Sequence, residues 1–487
     1  MMPVRDWHWI MGQYYQLYSS RTRQMPQQIL LDKLIQCEIS GISCKREEEK
    51  FIIVEDASFN LYETQRQYAT RGEEKLMLHI LSPNYMLRDF MEDRRDAMEA
   101  DAKYIAQFVP DYINSMCNVY LRLIRRMLER PVPESEVDNL LQRGGQSMQG
   151  KSCMEKIREA VKVVSLEKDI EIAITYQEVF SEKSHLMQQE TCYQLVGEKF
   201  KGEFFRYFQQ ANYIDEHGNR RHIGQLFLAG HLEQKYLPGQ FVVLDGKYYE
   251  VQGFHTNEYE KALEVRRTSE HIFRRRYYRQ LRRYAFKWQK EQEQGWEIDF
   301  GFLRLRRRTA NICAHNCGYM EMNSWNDIIH GKYVPYTGGK PREYRGKQVL
   351  EICFSRQFRG SSYEEIGQAT SMASCIWLAA LLGECFCTFF PQYYHLLAVA
   401  VPRQKYQCQM NQYGMPPKIL YTLLADVVED ADADDDCFYI IEDSREDMGL
   451  LSCIEHNFGR MVKIIHDYMK WSMEHDNGYI KFNGAEF

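Results

Sequence analysis

Turn signals recur at short intervals between residues 237 and 267, and this spacing limits the possible fold more than any other feature. Short runs rich in β-branched and aromatic residues are separated by three turn dipeptides, Pro238-Gly239, Asp245-Gly246 and Thr256-Asn257. Regular spacing of this kind is typical of short antiparallel strands and not of helices. The sequence therefore predicts a small β-barrel or meander, which we place at residues 226–310.

A segment rich in basic and aromatic residues follows. Between Arg266 and Lys290 the chain has ten Lys and Arg residues and a single acid, Glu270, although the whole protein carries a net charge of −6. Whether residues 276–290 form a helix or a strand, cations and aromatic rings share a surface, and this favours a nucleic-acid backbone with exposed bases. The alternatives are a solvated face, or pairing of the arginines with the acidic run at residues 426–436.

Residues 190–225 predict a winged-helix-like module. Apolar residues have helical spacing over residues 191–214, and His217-Gly218-Asn219 predicts a tight turn between two short strand-like pieces. A helix followed by a hairpin with two adjacent arginines is typical of the end of a winged helix. With the basic segment, this gives the candidate nucleic-acid-binding residues: Arg220, Arg221, Arg274, Arg275, Arg276, Tyr278, Arg279, Arg282, Arg283, Lys287 and Trp288.

Residues 311–487 predict a C-terminal α/β domain. An apolar helix at 371–390 precedes a strand-like segment at 395–402, and the strand predicted at 437–444 is followed by a helix from about residue 447. Residues 444–447 resemble a capping box at the start of that helix. Glu442, Asp443 and Gly449 lie where the strand leaves the core. We expect a structural role for them, and a catalytic role is the alternative.

The N-terminal region, residues 1–189, is predicted to be mostly helical. Its segment GQSMQGKS, residues 145–152, satisfies the phosphate-binding pattern, with the required residues Gly145, Gly150, Lys151 and Ser152. A working phosphate-binding loop follows a buried strand, whereas residues 136–143 are polar and helix-like. We therefore expect a connection between two helices. A P-loop ATPase that uses Lys151 and Ser152 is the first alternative function.

The cysteine pattern and the longest apolar run bear on compartment and cofactors. Fourteen cysteines without a CxxC pair, behind an N-terminus that does not resemble a signal peptide, indicate free thiols in the cytoplasm and no bound metal or other cofactor. The run at 371–390 contains Glu384 and favours the central helix of a soluble domain, so we expect no membrane contact. A nuclease with acids such as Asp245 and Glu264 is the second alternative function.

Three stretches together resemble a known family. LPGQFVVLDGKYYEVQGF and RRRYYRQLRRY resemble the β-barrel that follows a winged helix in large superfamily 2 DNA helicases of the Lhr and mitomycin-repair type. FYIIEDSREDMGLLSCIEHN resembles the C-terminal domain of the mitomycin-repair group. Order and spacing agree over roughly residues 190–475. The two motor domains and the zinc cysteines of that family have no counterpart in this sequence.

The sequence thus predicts an α+β, multidomain protein, with a helical N-terminal region, a winged-helix-like module, a small β-barrel and a C-terminal α/β domain. The resemblance implies a non-motor accessory subunit, without an activity of its own, that binds DNA and works with a separately encoded helicase or ATPase. Analogy of architecture suggests a bacterial DNA-processing or antiphage defence complex.

Overall fold

The structure is a computed structural model of the 487-residue chain. It describes residues 16–19, 51–55, 76–80, 90, 93–108, 116–143, 150–163, 170–181, 185–223, 228–244, 247–268, 277–289, 298–299, 303–322, 332–354, 379, 381–383, 385–386, 389–390, 393–402, 426–429 and 437–475. Helices and several separate sheets fill these ranges, which confirms the predicted α+β, multidomain fold class.

The N-terminal region combines helices with two small sheets. Its elements are β1 (Gln16–Ser19), β2 (Phe51–Glu55), β3 (Leu76–Ile80), α1 (Arg95–Ala106), α2 (Met116–Glu129), β4 (Val132–Pro133), α3 (Glu134–Arg143), α4 (Cys153–Val163), β5 (Glu171–Ser181) and β6 (Leu186–Val196). Strands β1 to β3 pair in parallel. Helix α2 ends at Glu129, shortly before Pro131, and α3 and α4 are the predicted helices on either side of residues 145–152.

Residues 191–196 were expected to begin a helix and instead complete strand β6, so this part of the expectation was wrong. They pair with β5, and helix α5 (Glu198–Phe208) begins only after Gly197. Gly197 has a φ of 148°, a backbone conformation that favours glycine. A short apolar run fits a strand and a helix equally well by periodicity, so the long-range partner β5 decides the outcome.

A five-stranded sheet follows, and it contains both the predicted hairpin and the predicted meander. The elements are β7 (Asn212–Ile214), β8 (Arg220–His222), a 3-10 turn (Ala229–His231), α6 (Leu232–Lys235), β9 (Phe241–Leu244), β10 (Lys247–Thr256) and β11 (Lys261–Arg267). The strand order is β8-β7-β11-β10-β9. The expected turns contain Gly218 and Gly239 with positive φ, while Asp245-Gly246 lies outside the described residues.

The rest of the chain builds one large sheet and a long helix. The elements are β12 (Tyr277–Trp288), β13 (Ile298–Asp299), β14 (Leu303–Met322), β15 (Lys332–Pro335), β16 (Arg342–Phe354), β17 (Leu397–Pro402), β18 (Asp426–Val428), β19 (Cys437–Glu442) and α7 (Leu450–His475). Six strands pair in a closed ring, in the order β12-β18-β17-β19-β16-β14 and back to β12. The sequence left open whether residues 276–290 form a helix or a strand. The part of this range that the structure describes forms strand β12.

Apolar side chains fill the ring and also cover part of its outside. All six strands contribute to the inner cluster, which includes Tyr284, Ile312, Val349 and Tyr439. Helix α7 packs on the other side of β14, β16 and β19, where Leu305 and Ile440 lie in the same cluster as its own apolar residues. Because β19 is covered on both sides, its six residues are all buried, which explains its uninterrupted apolar sequence.

Two predicted domain boundaries fall inside these sheets. The boundary at residue 225 lies between the β7–β8 hairpin and the strand β11 that pairs with β7. The boundary at residue 310 lies within β14. How the chain divides into separately folding units stays a prediction.

One cysteine pair corrects the expectation of free thiols. Cys353 on β16 lies directly opposite Cys437 on β19, and the two form a disulfide. The residues are 84 positions apart in sequence, so no local spacing could reveal the pair. Among the other cysteines of the described ranges, Cys153, Cys192, Cys313 and Cys453 are free thiols.

The apolar segment at 371–390 is described only in part. Its described residues from 379 to 389 are helical, and Cys385, Phe386 and Phe389 are buried in the protein core. No helix in the described portion of the chain is both long and apolar enough to cross a membrane.

Candidate functional site

Strand alternation divides the candidate residues of β12 into two groups. Successive side chains of a strand point to opposite sides. Tyr284 lies inside the ring, so the even-numbered candidates Tyr278, Arg282 and Trp288 share its side of the strand. The odd-numbered candidates Arg283 and Lys287 share the other side, and both are exposed. The predicted nucleic-acid-binding residues of β12 therefore do not lie on a single surface.

Arg282 is the clearest correction to the predicted nucleic-acid interface. Its guanidinium group donates hydrogen bonds to the carbonyl oxygens of His395 and Leu397 and to the Asp426 carboxylate. The side chain is only 10% exposed, so it does not face a phosphate. Asp426 begins the acidic run at 426–436, and the alternative of pairing with that run is confirmed for this arginine.

The two aromatic candidates of the strand are also engaged inside the protein. The Tyr278 hydroxyl accepts a hydrogen bond from the backbone N–H of Phe241, and its ring packs edge-on against Tyr319. Trp288 packs against Tyr439, and the Arg308 guanidinium lies 3.8 Å from the centre of its ring. Neither ring is placed to stack on a base.

The opposite side of β12 forms the exposed surface that we call the outer face. Its described side chains are Arg283, Lys287, Asn311, His315 and Tyr333. Arg283 pairs across the ladder with His315, and Lys287 pairs with Asn311. The backbone of Arg279 belongs to the same row, since it lies opposite Met320, which lies opposite Tyr333. Arg274, Arg275 and Arg276 lie outside the described residues.

The two arginines of the hairpin lie on its edge strand β8. Both are exposed, and the Arg220 guanidinium lies 3.0 Å from a carboxylate oxygen of Glu260. Arg221 pairs in register with the buried Tyr213. The hairpin is thus formed as predicted, and a role in nucleic-acid binding stays a prediction.

A second site lies at the end of the ring, where β19 leads into helix α7. Asp443 is fully buried, and we call it, with the four side chains around it, the Asp443 cluster: Asp443, Arg282, Tyr284, Arg342 and Tyr344. Arg342 and Tyr344 each donate a hydrogen bond of 2.7 Å to the carboxylate, and Tyr284 donates one of 2.9 Å. The Arg282 guanidinium lies 3.7 Å away.

The protonation of Asp443 follows from these neighbours. Burial by itself raises the pKa of the carboxyl, but the guanidinium groups of Arg342 and Arg282 outweigh it and lower the pKa to about 2. Burial raises the pKa of the Tyr284 and Tyr344 hydroxyls well above 10, so they stay hydrogen-bond donors. A carboxylate of such low pKa, satisfied by three donors, is a weak base near neutral pH and suits a structural role.

Glu442 provides the cap of helix α7. Its carboxylate accepts hydrogen bonds from the backbone N–H groups of Met448 and Leu450, at 2.7 and 3.2 Å. Negative charge at a helix N-terminus satisfies donors that have no partner within the helix. The expected capping box at residues 444–447 is not formed, because the helix begins later, after Gly449 with a φ of 77°. The cap instead comes from the end of the preceding strand.

The turn from residue 442 to 449 is also held by groups that the sequence did not indicate. The Tyr207 hydroxyl accepts a hydrogen bond from the backbone N–H of Arg445. Lys347 donates to the carbonyl oxygen of Glu446, and His231 lies 2.8 Å from the Glu446 carboxylate. Helix α5, the 3-10 turn and the ring therefore meet at this turn.

The described part of the phosphate-binding pattern forms a helix cap. The Ser152 hydroxyl and backbone N–H both donate to the Glu155 carboxylate, at 2.9 and 2.8 Å, and the Ser152 oxygen accepts from the N–H of Glu155. This is a capping box at the start of α4. Lys151 lies 2.5 Å from Glu159 on the same helix. The segment before it is helix α3, as expected, and not a strand; Gly145 lies outside the described residues.

This geometry predicts different results for two neighbouring substitutions. Ser152→Ala should lower the free energy of unfolding by about 1 kcal/mol, because it removes the cap of α4. Lys151→Ala should leave stability unchanged, since the side chain is exposed. Urea unfolding checks both, and calorimetric titration with Mg-ATP should show no binding to either variant or to the wild type. Tight Mg-ATP binding that Lys151→Ala abolishes would support the ATPase alternative.

One group of described residues has the composition of a metal site. Glu351, Cys353 and Cys437 place a carboxylate and two sulfur atoms close together. The two sulfur atoms are bonded to each other, however, and the guanidinium groups of Arg306 and Arg308 pair with the carboxylate. Thiolates are the ligands that a zinc ion would need here, and the bonded pair does not supply them.

Comparisons with known proteins give only distant matches. No family model matches the chain, and no characterised protein matches its sequence. The crystal structure of the DUF1998 helicase MrfA is similar with a TM-score of 0.38 and 10% identity, over 92% of this chain and 57% of that one. The crystal structure of the DUF1998 helicase MrfA bound to DNA is similar with a TM-score of 0.36 and 9% identity, over 91% of this chain and 52% of that one. The chain thus spans little more than half of these helicases, and TM-scores this low do not carry the likeness further.

Proposed function

We propose that the protein is a non-motor DNA-binding accessory subunit. It works with a separately encoded helicase or ATPase, in a bacterial DNA-processing or antiphage defence complex. The observation that supports DNA binding is the outer face, where cations and an aromatic ring share an exposed surface of a rigid sheet. The non-motor assignment is supported by Lys151 and Ser152, whose side chains bind acids of their own helix.

The outer face offers a row of positive charge. Arg279, Arg283 and Lys287 follow one another at intervals of four residues, so their backbones are about 13 Å apart along the same side of β12. Such a row can follow a phosphate backbone, and each contact releases counterions from the DNA. Both neighbouring strands of the ladder hold the row in place.

In this row, Arg283 can exchange its ion-pair partner for a phosphate. The Arg283 guanidinium lies 3.3 Å from the Glu429 carboxylate, and both groups are well exposed. An exposed ion pair contributes little, so a phosphate can replace Glu429 at low cost. The nearby Tyr333 is 49% exposed, and its hydroxyl donates a hydrogen bond to the carbonyl oxygen of Cys317. Its ring is therefore fixed where an unpaired base could stack.

Charge reversal on the outer face tests the proposal. The double variant Arg283→Glu/Lys287→Glu should bind DNA at least about ten-fold more weakly at physiological salt, to a similar degree for all sequences. The slope of log affinity against log salt should become smaller by about two, since two phosphate contacts are lost. Fluorescence anisotropy with single- and double-stranded oligonucleotides at several salt concentrations measures both quantities.

The matched control is Arg158→Glu/Lys162→Glu on helix α4. These two residues are also exposed, and their reversal changes the net charge by the same amount. The control should keep wild-type affinity and salt slope. Equal weakening in the two double variants would indicate an effect of net charge only, and a wild type that binds no DNA would contradict the proposed function itself.

A further inference from the structure

The hairpin of β5 and β6 extends beyond the sheet to which it belongs. Each strand has eleven residues, and all eleven pairs are formed. Strand β4 pairs only with Tyr193 and Cys192, near the base. We call residues 174–181 and 185–189 the arm. Every side chain that the structure describes in the arm is exposed.

One side of the arm, which we call its apolar side, carries four large apolar side chains together with Glu178 and Gln189, whereas the exposed Leu186 lies on the other side. The register places Ile174, Tyr176, Phe180 and Met187 on the same side, with Phe180 directly opposite Met187. Their exposed fractions are 49%, 67%, 55% and 58%. Single exposed apolar residues are ordinary on a soluble protein, whereas four large ones on one side of a ribbon mark a surface that another molecule covers. A two-stranded hairpin also gains little stability alone, so contact with a partner would order it.

The charge of the arm decides which kind of molecule fits it. Among the described residues of the arm, Glu178 is the one carboxylate and there is no Lys or Arg, and Glu171 and Glu190 add two carboxylates nearer its base. Phosphates would be repelled, so DNA is disfavoured. A second copy of the chain would bring the same carboxylates together. Favourable pairing requires a surface with an apolar centre and basic residues around it.

We propose that the arm is a docking surface for a partner protein of that chemistry. Tyr176 and Phe180 provide the large rigid contacts at its centre, and Glu178 between them selects a basic neighbour. Strand β5 is the edge of its sheet and pairs only with β6 within the described ranges, so a strand of the partner can add to it. The inference rests on the proposed function in one respect, that an accessory subunit requires another protein.

Site-directed photo-crosslinking identifies the partner directly. A benzophenone amino acid replaces Phe180 in the full-length protein, expressed in its native cells, and ultraviolet light then links it to whatever covers the apolar side. Gln188 is the matched control position, because it lies at the tip of the arm on the opposite side. Position 180 should give one protein adduct, linked through an apolar segment flanked by Lys or Arg. Position 188 should give little of this adduct.

Binding to the purified partner measures the contribution of the apolar side. Tyr176→Ser/Phe180→Ser/Met187→Ser should weaken binding at least about ten-fold, which corresponds to about 1.4 kcal/mol. The control Thr175→Ser/Gln177→Ser/Gln188→Ser changes three exposed residues of the opposite side and should stay within about two-fold of wild type. Both triple variants should keep the wild-type melting temperature and DNA affinity, because none of these side chains contributes to the core or to the outer face.

Several results would overturn the proposal. They are a nucleic-acid adduct at position 180, an adduct to a second copy of the chain, equal protein adducts at positions 180 and 188, or no adduct. The test is independent of the DNA measurement on the outer face. A partner found at position 180 supports the docking surface even if the outer face does not bind DNA.

Discussion

The Asp443→Ala protein is expected to lose about 3–5 kcal/mol of its free energy of unfolding. Removing this carboxylate leaves the guanidinium group of Arg342 buried without its anion, and the hydroxyls of Tyr284 and Tyr344 without this acceptor. Arg282 loses one of its two carboxylate neighbours and keeps Asp426. Urea unfolding measures the loss. Asp447→Ala is the control in the same turn, because Asp447 is exposed, and it should cost much less.

The dependence of this loss on pH gives a second measurement. The pKa of Asp443 is lowered to about 2 in the folded protein, from an ordinary value of 3.8. A lowered pKa contributes stability above the unfolded value, and this contribution, about 2 kcal/mol, is lost as the pH falls from about 4 to 2. The difference in stability between wild type and Asp443→Ala should therefore become smaller over that range. A constant difference would show that the charge of Asp443 does not matter.

Asp443→Asn separates the structural from the catalytic interpretation. Asparagine keeps the shape of the side chain but not its charge, so stability should fall by a smaller amount, in step with any loss of function. A variant with wild-type stability, DNA affinity and partner binding that is nevertheless inactive would favour catalysis.

Local signals were sufficient for many elements of the fold. The apolar run 437–442 predicted a buried strand, the periodic residues after 447 predicted the long helix α7, and glycines predicted the turns at 218 and 239. Each of these features depends on residues that are neighbours in sequence. The interpretation of residues 145–152 as a connection between helices rested on the same kind of signal, namely the absence of a strand before the motif.

The Asp443 cluster could not be predicted, because its members come from distant parts of the chain. Tyr284, Tyr344 and Arg342 bond to Asp443 across 159, 99 and 101 residues. The division of the basic segment into a buried and an exposed side could not be predicted for a different reason. A spacing of four residues places Arg279, Arg283 and Lys287 on one side of a strand and also on one side of a helix. Only the pairing with β14 shows that Arg282 lies on the opposite side.

That alternation leads to the last prediction, in which two adjacent arginines give opposite phenotypes. Arg282→Gln should lower the free energy of unfolding by about 3 kcal/mol, since it removes the cation paired with the buried Asp426 and one of the two cations beside Asp443. Arg283→Gln should change it by no more than about 0.5 kcal/mol, since its pair with Glu429 is exposed.

DNA binding should show the reverse order. Arg283→Gln should weaken the affinity and reduce its salt dependence, because Arg283 belongs to the outer face, whereas the folded fraction of Arg282→Gln should bind as the wild type does. Urea unfolding and fluorescence anisotropy on the same two preparations provide the comparison. The two residues are chemically identical neighbours, so a difference between them can come only from the side of β12 on which each lies. A stable Arg282→Gln protein that has lost DNA affinity would contradict the assignment of sides.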